Sequence, residues 1–373
     1  ILRDILLFIN DIKTFNKSSS SASDSESDTK QSNEHYEELK KILFSLLQNM
    51  LSILPIENFI ETIKPLLSSK NSDIRYHVTL VIGSKFDLEP VEVAPTAERV
   101  ITYLLDQASN GSETTVVSQV MLNTIAQLIS KFGSNIDQAV INKSLEQCTK
   151  NLMSEKAEII ISSLSVITNS VQILGVKTIA YYPKIVQPSI ALFKKTELEK
   201  ETFLRSQLQL SILLLFATMV KSMPTFVLSN LFDILHIIFF SDEVETTVRL
   251  SAIDLIISNL DLKEVLKVLY KCWTTEISKS NDSIIISLFI SALEATVEAA
   301  DKKTATFQSP IFFKLLLSLF EYRSTSTFDN NTISRIEASV YQIANSYVSK
   351  MNDKVFRPLF LSLIHISEPT RLR

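Results

Sequence analysis

From Tyr36 to Phe360 the apolar residues recur at the spacing of an α-helix, and this constrains the chain more than any other feature of it. Leu39, Ile42, Leu43, Leu46, Leu47, Met50 and Leu51 fall on one stripe of a helix, and Ile253, Ile256, Ile257 and Leu260 form part of another. Strand-like alternation is hardly sustained anywhere. The β-branched clusters Ile159 to Ile161 and Ile284 to Ile286 each run on into a helical pattern, through Leu164 to Ile167 and through Leu288 to Leu293. The pattern predicts an all-α chain. With 46% hydrophobic and 21% charged residues among 373, it has enough apolar surface to bury a sizeable core.

A second regularity decides between one bundle and an array. Pro55, Pro95, Pro183, Pro224 and Pro310 lie 40, 88, 41 and 86 residues apart, close to one or two steps of a period of about 40 to 47 residues. Ile56 to Leu67 reads as a first helix, Ser68 to Asp73 as a polar turn and Ile74 to Phe86 as a second helix. Pro224 to Phe240, Ser241 to Thr246 and Thr247 to Leu260 repeat the plan. Ile74-Arg75 and Val248-Arg249 stand at matching places near the start of the second helix. That pairing is similar to the HEAT pattern, in which the arginine often meets an acidic residue of a neighbouring repeat. The expected fold is an α-solenoid of HEAT-like helix pairs, an armadillo-like superhelix, with pairs near 36–86, 95–132, 137–175, 183–222, 224–261, 262–303 and 310–360. Asp87 to Pro95 reads as a longer loop between repeats. Such a fold offers long faces and demands no pocket.

Residue usage excludes most site chemistry. The glycines Gly83, Gly111, Gly133 and Gly175 are isolated, so no Gly-rich loop can bring backbone amides against a phosphate. His35, His77, His236 and His365 are scattered, and Cys148 and Cys272 lie 124 positions apart, which leaves no zinc site, no Cys/His catalytic pair and no disulfide framework. A reducing compartment follows. Glu197, Glu199 and Glu201 alternate with lysines in a polar stretch and read as a solvated connection, not as an acid/base pair. His236 lies in an apolar run and reads as a core or edge histidine; Trp273 reads as core. Neither Ser206 to Val220 nor Val227 to Phe240 has the ~20 apolar residues of a membrane span, so both read as buried helices. No metal, cofactor, membrane or small-molecule substrate is expected, and no enzymatic activity. Lys40-Lys41 and Lys302-Lys303 are isolated pairs, and a pI near 5.8 argues against general nucleic-acid affinity while leaving room for local contact with an RNA backbone.

Lys17 to Glu38 carries almost nothing apolar and cannot offset its ordering entropy, so residues 17–35 are expected to be a disordered Ser/acidic insertion. Ser21, Ser23 and Ser25 each precede an acidic residue by three positions, the pattern of an acidophilic kinase site. Residues 1–16 read as the end of a preceding helical repeat, which makes the chain a piece of a longer protein. Leu361 to Arg371 resembles a translated sequencing adapter, so 361–373 is set apart from the natural protein.

Between Phe307 and Phe360 the residues become specific. Phe312-Phe313-Lys314, then Phe320-Glu321-Tyr322-Arg323, a polar gap, a helix from Ile333 to Met351 and the segment Val355-Phe356-Arg357-Pro358-Leu359-Phe360 follow one another. This order resembles the start of the C-terminal domain of the large HEAT-repeat subunit of the small-subunit processome, the U3 snoRNA-associated family. The resemblance implies repeats over 36–306 and the beginning of that domain over 307–360. It also implies a nucleolar, non-catalytic scaffold in ribosome biogenesis and rRNA processing, with processome proteins and U3 snoRNA or pre-rRNA as partners. Phe356, Arg357 and Phe360 are the partner-contact candidates it selects. The competing role for them is structural, the two rings plugging the last repeat and Arg357 capping a helix or pairing with Glu337. The competing function is a cytosolic HEAT adaptor, of transport-receptor or phosphatase-regulatory type.

Overall fold

A computed structural model describes residues 53–109, 114–196, 202–352 and 354–358, with Glu38, Ile42, Ser45, Asn49 and Leu361 as isolated positions. Outside these lie the serine-rich insertion with Ser21, Ser23 and Ser25, residues 1–16, Phe360, the alternating glutamates after Thr196 and, Leu361 apart, the adapter-like tail. Among the described residues the secondary structure is helix with no strand, as the apolar spacing requires.

The chain divides into two compact units, Ile1–Ile185 and Val186–Arg373. The first contains α1 (Ile56–Leu67), α2 (Ser72–Leu88), α3 (Ala94–Ser109), α4 (Thr115–Phe132), α5 (Gln138–Asn151) and α6 (Ala157–Leu174). Here α1 packs on α2, α3 on α4 and α5 on α6, while α2, α4 and α6 stack on one another as one layer and α3 meets α5 in the other. The division falls in the first turn of α7 (Tyr182–Thr196). The second unit continues with α8 (Thr202–Ser222), a single turn Pro224–Val227, α9 (Leu231–Phe240), α10 (Thr246–Asn259), α11 (Leu262–Thr275), α12 (Ser283–Ala299), α13 (Lys302–Thr325) and α14 (Asn330–Ser349). Its layers are α8, α10, α12, α14 and α9, α11, α13.

Local chemistry sets the helix ends. Asp261, Asp282, Asp301 and Asp329 are the N-caps of α11 to α14, each accepting a backbone N–H of the first turn; such a cap stabilises a helix by about 1 kcal/mol. Pro55 stands at the cap of α1, and Pro95, Pro183 and Pro224 fall in first turns, where the missing N–H has no intrahelical partner to lose. Gly175 ends α6 with φ 54°, a conformation that a side chain resists.

Three expectations are corrected. Pro310 does not open a helix; it lies inside α13, which begins at Lys302 behind the Asp301 cap. The carbonyl of Thr306, deprived of the N–H that residue 310 would donate, accepts instead from the Ser309 hydroxyl at 2.8 Å. The Asp87 to Pro95 loop shrinks to Glu89 and Pro90, because Val91–Val93 forms a 3₁₀ turn that leads into α3 at Ala94. Pro224 to Phe240 is not one helix: Leu228–Asn230 tightens into a 3₁₀ turn between the two helical pieces.

The core is a relay of side chains between neighbouring pairs. Phe86 of α2 meets Phe132 of α4 edge to face at 5.8 Å. In the second unit, Phe239 meets Phe289, Phe289 stacks on Trp273 at 5.1 Å, and Trp273 meets Tyr322 at 5.2 Å, each such ring pair adding about 0.5–1.5 kcal/mol beyond its buried area. Lysines at the ends of second-layer helices reach back one repeat. Lys131 donates to the carbonyls of Phe86 and Asp87, and Lys350 to those of Val297, Glu298 and Ala300, so each satisfies the frayed C-terminus of the preceding helix. Among the described residues, hydrogen bonds between distant parts of the chain join positions 31 to 53 apart, about one repeat. By length and composition alone, Ala157–Thr196 and Thr202–Ser222 could cross a membrane; 44% of each apolar window is nonetheless buried against other helices. Within α8, Gln209 donates to Asp242 and accepts from the Glu243 N–H.

Candidate functional site

The candidate motif follows α14. Asn352 starts a short turn of helix: its side-chain oxygen accepts the Lys354 N–H at 3.1 Å, and its carbonyl accepts the N–H groups of Val355 and Phe356 at 2.9 and 3.0 Å. This turn leaves Phe356 half-buried and Arg357 exposed. The pairing of Arg357 with Glu337 is replaced by another: Glu337 lies 3.5 Å from Arg323 Nε. Arg323 projects from the last turn of α13.

Upstream of the motif, α13 and α14 are joined by aromatic side chains. Phe312 and Tyr347 stack at 3.6 Å, Tyr347 donates its hydroxyl to the Ala305 carbonyl at 2.5 Å, and Phe320 lies 5.0 Å from the exposed Tyr341. Burial pushes the Tyr347 hydroxyl well above its ordinary range. Between α11, α12, α13 and α14 lies a cavity of about 10 Å³ lined by Leu266, Val297, Ala300, Gln308 and Tyr347, room for one water and no organic ligand. The buried Gln308 Nε2 has no partner there among the described residues.

The titratable groups serve structure. Burial pushes both Cys148 and Cys272 up to about 12, so neither thiol ionises near neutrality. His236 is half-buried, stacks on Phe240 at 4.6 Å and lies 2.7 Å from Glu276, bridging α9 to the end of α11. Trp273 is fully buried, with Nε1–H donated to Ser318 at 2.9 Å. Arg249 is buried and donates to the Phe239 carbonyl at 3.3 Å; burial lowers its pKa, and the charges of Asp282 and Asp242 act against that. Arg75 donates likewise to the Ser69 carbonyl, so both arginines reach a carbonyl at or just past the end of the first helix of their pair. No group of three metal-binding side chains occurs among the described residues.

The sequence reading missed one arrangement. Lys263, Lys267 and Lys271 recur at every fourth position of α11 and therefore share a face. Lys263 Nζ lies 5.0 Å from the Phe307 ring on α13, and Lys271 Nζ lies 4.2 Å from the Phe232 ring on α9. The spacing was visible in the sequence; that α13 brings Phe307 against Lys263 was not.

These features define a helical-repeat protein of HEAT type, whose faces rather than any pocket are its candidate functional parts. Residues 304–371 match the BP28CT (NUC211) domain. Along nearly its whole length the chain is a homologue of part of the proteins named U3 small nucleolar RNA-associated protein 10. It is 54% identical to that of Saccharomyces cerevisiae over 367 residues, 98% of this chain and 21% of the relative. Identity is 49% with that of Kluyveromyces lactis over 95% of the chain, and 35% with that of Candida albicans over 86%. The chain spans about a fifth of the length of these curated relatives. The resemblance first drawn on some fifty residues thus extends through the upstream helix pairs.

Proposed function

We propose that the chain is part of a non-catalytic scaffold of the small-subunit processome, acting in the nucleolus to support pre-rRNA processing and small-subunit ribosome biogenesis. The observation that carries this reading is the 54% identity over 98% of the chain to a protein whose name states association with U3 small nucleolar RNA. The fold supports it: stacked pairs present long faces, and the ionisable groups of the interior serve as caps and bridges. On this reading its partners are other processome proteins and U3 snoRNA or pre-rRNA, with no cofactor, membrane or small-molecule substrate. Residues 307–360 begin a C-terminal domain, and the adapter-like residues 361–373 interrupt it, although the match to the BP28CT domain runs on to residue 371.

Within this reading, Phe356, Arg357 and Phe360 form a partner contact, and Ser21, Ser23 and Ser25 are phosphorylated to deepen the charge of an already acidic Ser-rich segment. The exposure of Arg357 supports the first of these assignments. The test is affinity purification of the tagged full-length protein from its own cells, with bound RNA and proteins identified. Enrichment of U3 snoRNA and small-subunit pre-rRNA is expected; recovery of transport cargo or a phosphatase without either RNA would move the protein to the cytosolic adaptor class. Arg357→Ala is expected to lower recovery of the particle, and unchanged recovery removes that residue from the contact.

A further inference from the structure

In the second unit, basic side chains concentrate on two neighbouring helices of one layer, α11 and α13. α11 and α13 together carry seven basic side chains (Lys263, Lys267, Lys271, Lys302, Lys303, Lys314 and Arg323) against two acidic ones, Glu264 and Glu321, whereas α12, in the other layer, carries Glu294 and Glu298 and no base. The acidic net charge of the whole chain hides this. Lys263, Lys267 and Lys271 repeat along α11 at steps of about 6 Å, four residues of helical rise. Lys303 and Lys314 flank Phe307 at −4 and +7 on α13, the same helical face. Phe307 is 69% exposed, and Lys263 Nζ lies over its ring, 5.0 Å from the centroid. The acids near this face are engaged or peripheral. Glu264 pairs with Lys267 at 2.7 Å in a half-exposed and therefore weak bridge, Glu276 is held by His236, Asp261 and Asp301 cap the N-termini of α11 and α13, Asp233 adjoins Phe232 on α9, and Glu321 lies two turns beyond Lys314.

We propose that α11 and α13 form a binding face for single-stranded RNA, with the lysines holding the phosphate backbone and Phe307 offering a ring on which a base stacks. A row of cations alone would serve any polyanion. The exposed ring beside the row favours a ligand with π-faces of its own, because base-on-aromatic stacking is sequence-tolerant and adds to the backbone attraction. An acidic peptide would satisfy the lysines and leave Phe307 exposed. The proposal rests on the RNA-assembly reading above and adds to it a place and a mode of contact.

The test is fluorescence anisotropy with the 373-residue chain and a labelled oligouridylate, against the same-length RNA duplex and a glutamate-rich peptide. The triple variant Lys267→Gln, Lys271→Gln, Lys314→Gln changes only exposed positions, and circular dichroism checks that it folds. It is expected to bind the single strand on the order of tenfold more weakly, with the slope of log affinity against log salt reduced by about 2, near 0.7 for each phosphate no longer neutralised. Phe307→Ala is expected to weaken single-strand binding about tenfold with the salt slope unchanged, and to leave the duplex unaffected. No binding by the unmodified chain, or unchanged binding by both variants, would overturn the proposal. So would peptide binding as tight as RNA binding and indifferent to Phe307→Ala, which would assign the face to an acidic protein. The assay uses purified components, so its failure leaves the scaffold reading standing if the tagged protein still recovers U3 snoRNA; loss of that recovery is the failure of the scaffold reading itself.

Discussion

Trp273, the chain's sole tryptophan, is fully buried between two helix pairs. Its ring stacks on Phe289 of its own pair and meets Tyr322 of the next, while its N–H finds Ser318. Truncation removes the largest side chain of this core and both ring pairings, so Trp273→Ala should cost about 3–5 kcal/mol, the range for large aromatic truncations. Trp273→Phe, which keeps a ring and loses only the N–H and part of the volume, should cost less than half of that. Urea unfolding followed by far-UV circular dichroism measures both; equal losses would mean that the hydrogen bond to Ser318, not the packing, carries the stability. A second prediction concerns alkaline pH. Burial holds the Cys148 and Cys272 thiols protonated up to about 12, whereas in the unfolded chain they ionise near 9.0. A raised folded pKa favours the native state fully below pH 9 and progressively less above it, at most ~1.4 kcal/mol per pH unit for each thiol. The melting temperature should therefore fall between pH 8 and pH 10.5, and Cys148→Ala with Cys272→Ala should flatten the fall. An equally steep fall in the double variant would place the alkaline sensitivity elsewhere.

At the scale of one element, α13 shows what a helix needs in order to carry an internal proline. Pro310 removes a backbone donor and crowds the preceding turn, effects that together cost about 3 kcal/mol in an unadapted helix. Here the orphaned Thr306 carbonyl is satisfied by the buried Ser309 hydroxyl. Ser309→Ala should destabilise the protein by about 1–2 kcal/mol, because it leaves a buried acceptor unpaired. Pro310→Ala should be neutral or stabilising, and in its presence Ser309→Ala should lose most of its effect, since residue 310 then donates to Thr306 itself. Thermal denaturation of the two single variants and the double variant measures this coupling, and additive effects would show that Ser309 acts by other means. The same helix marks how far the elements could be read from sequence. Ile56–Leu67 is a helix over the residues that its apolar spacing names, since there a cap proline and a polar turn coincide with the ends of the stripe. Pro310 misled because a proline reads as a boundary until the hydroxyl that compensates for it is placed in space. The pairing of Glu337 failed for a like reason: Arg323 and Arg357 are equally plausible in the sequence, and only the fold brings Arg323 within 3.5 Å.

For the molecule as a whole, the governing fact is that, among the described residues, hydrogen bonds between different helix pairs join positions about one repeat apart. The lysine-to-carbonyl bridges and the ring pairings alike link a pair to its immediate neighbours. Stability in such an array is close to a sum of repeat and interface contributions, so damage should stay near its origin. This property also made the fold class legible: each pair announces itself by local spacing and no contact demands a distant strand partner. The binding face stayed hidden for the complementary reason, since it needs α11 and α13 side by side and no local pattern contains both. Hydrogen exchange of the Trp273→Ala variant tests the locality directly. Amide protection should fall most in α11, α12 and α13, less in α9, and little in α8, whose second-layer neighbour α10 lies between it and α12. A uniform loss from α8 to α14 would show that the second unit unfolds as one cooperative block, with its interfaces stronger than its individual pairs. A graded loss would mean instead that any partner docked on α11 and α13 stabilises chiefly the pairs that it touches, so that RNA bound to the face around Phe307 should restore protection there and leave α8 unchanged.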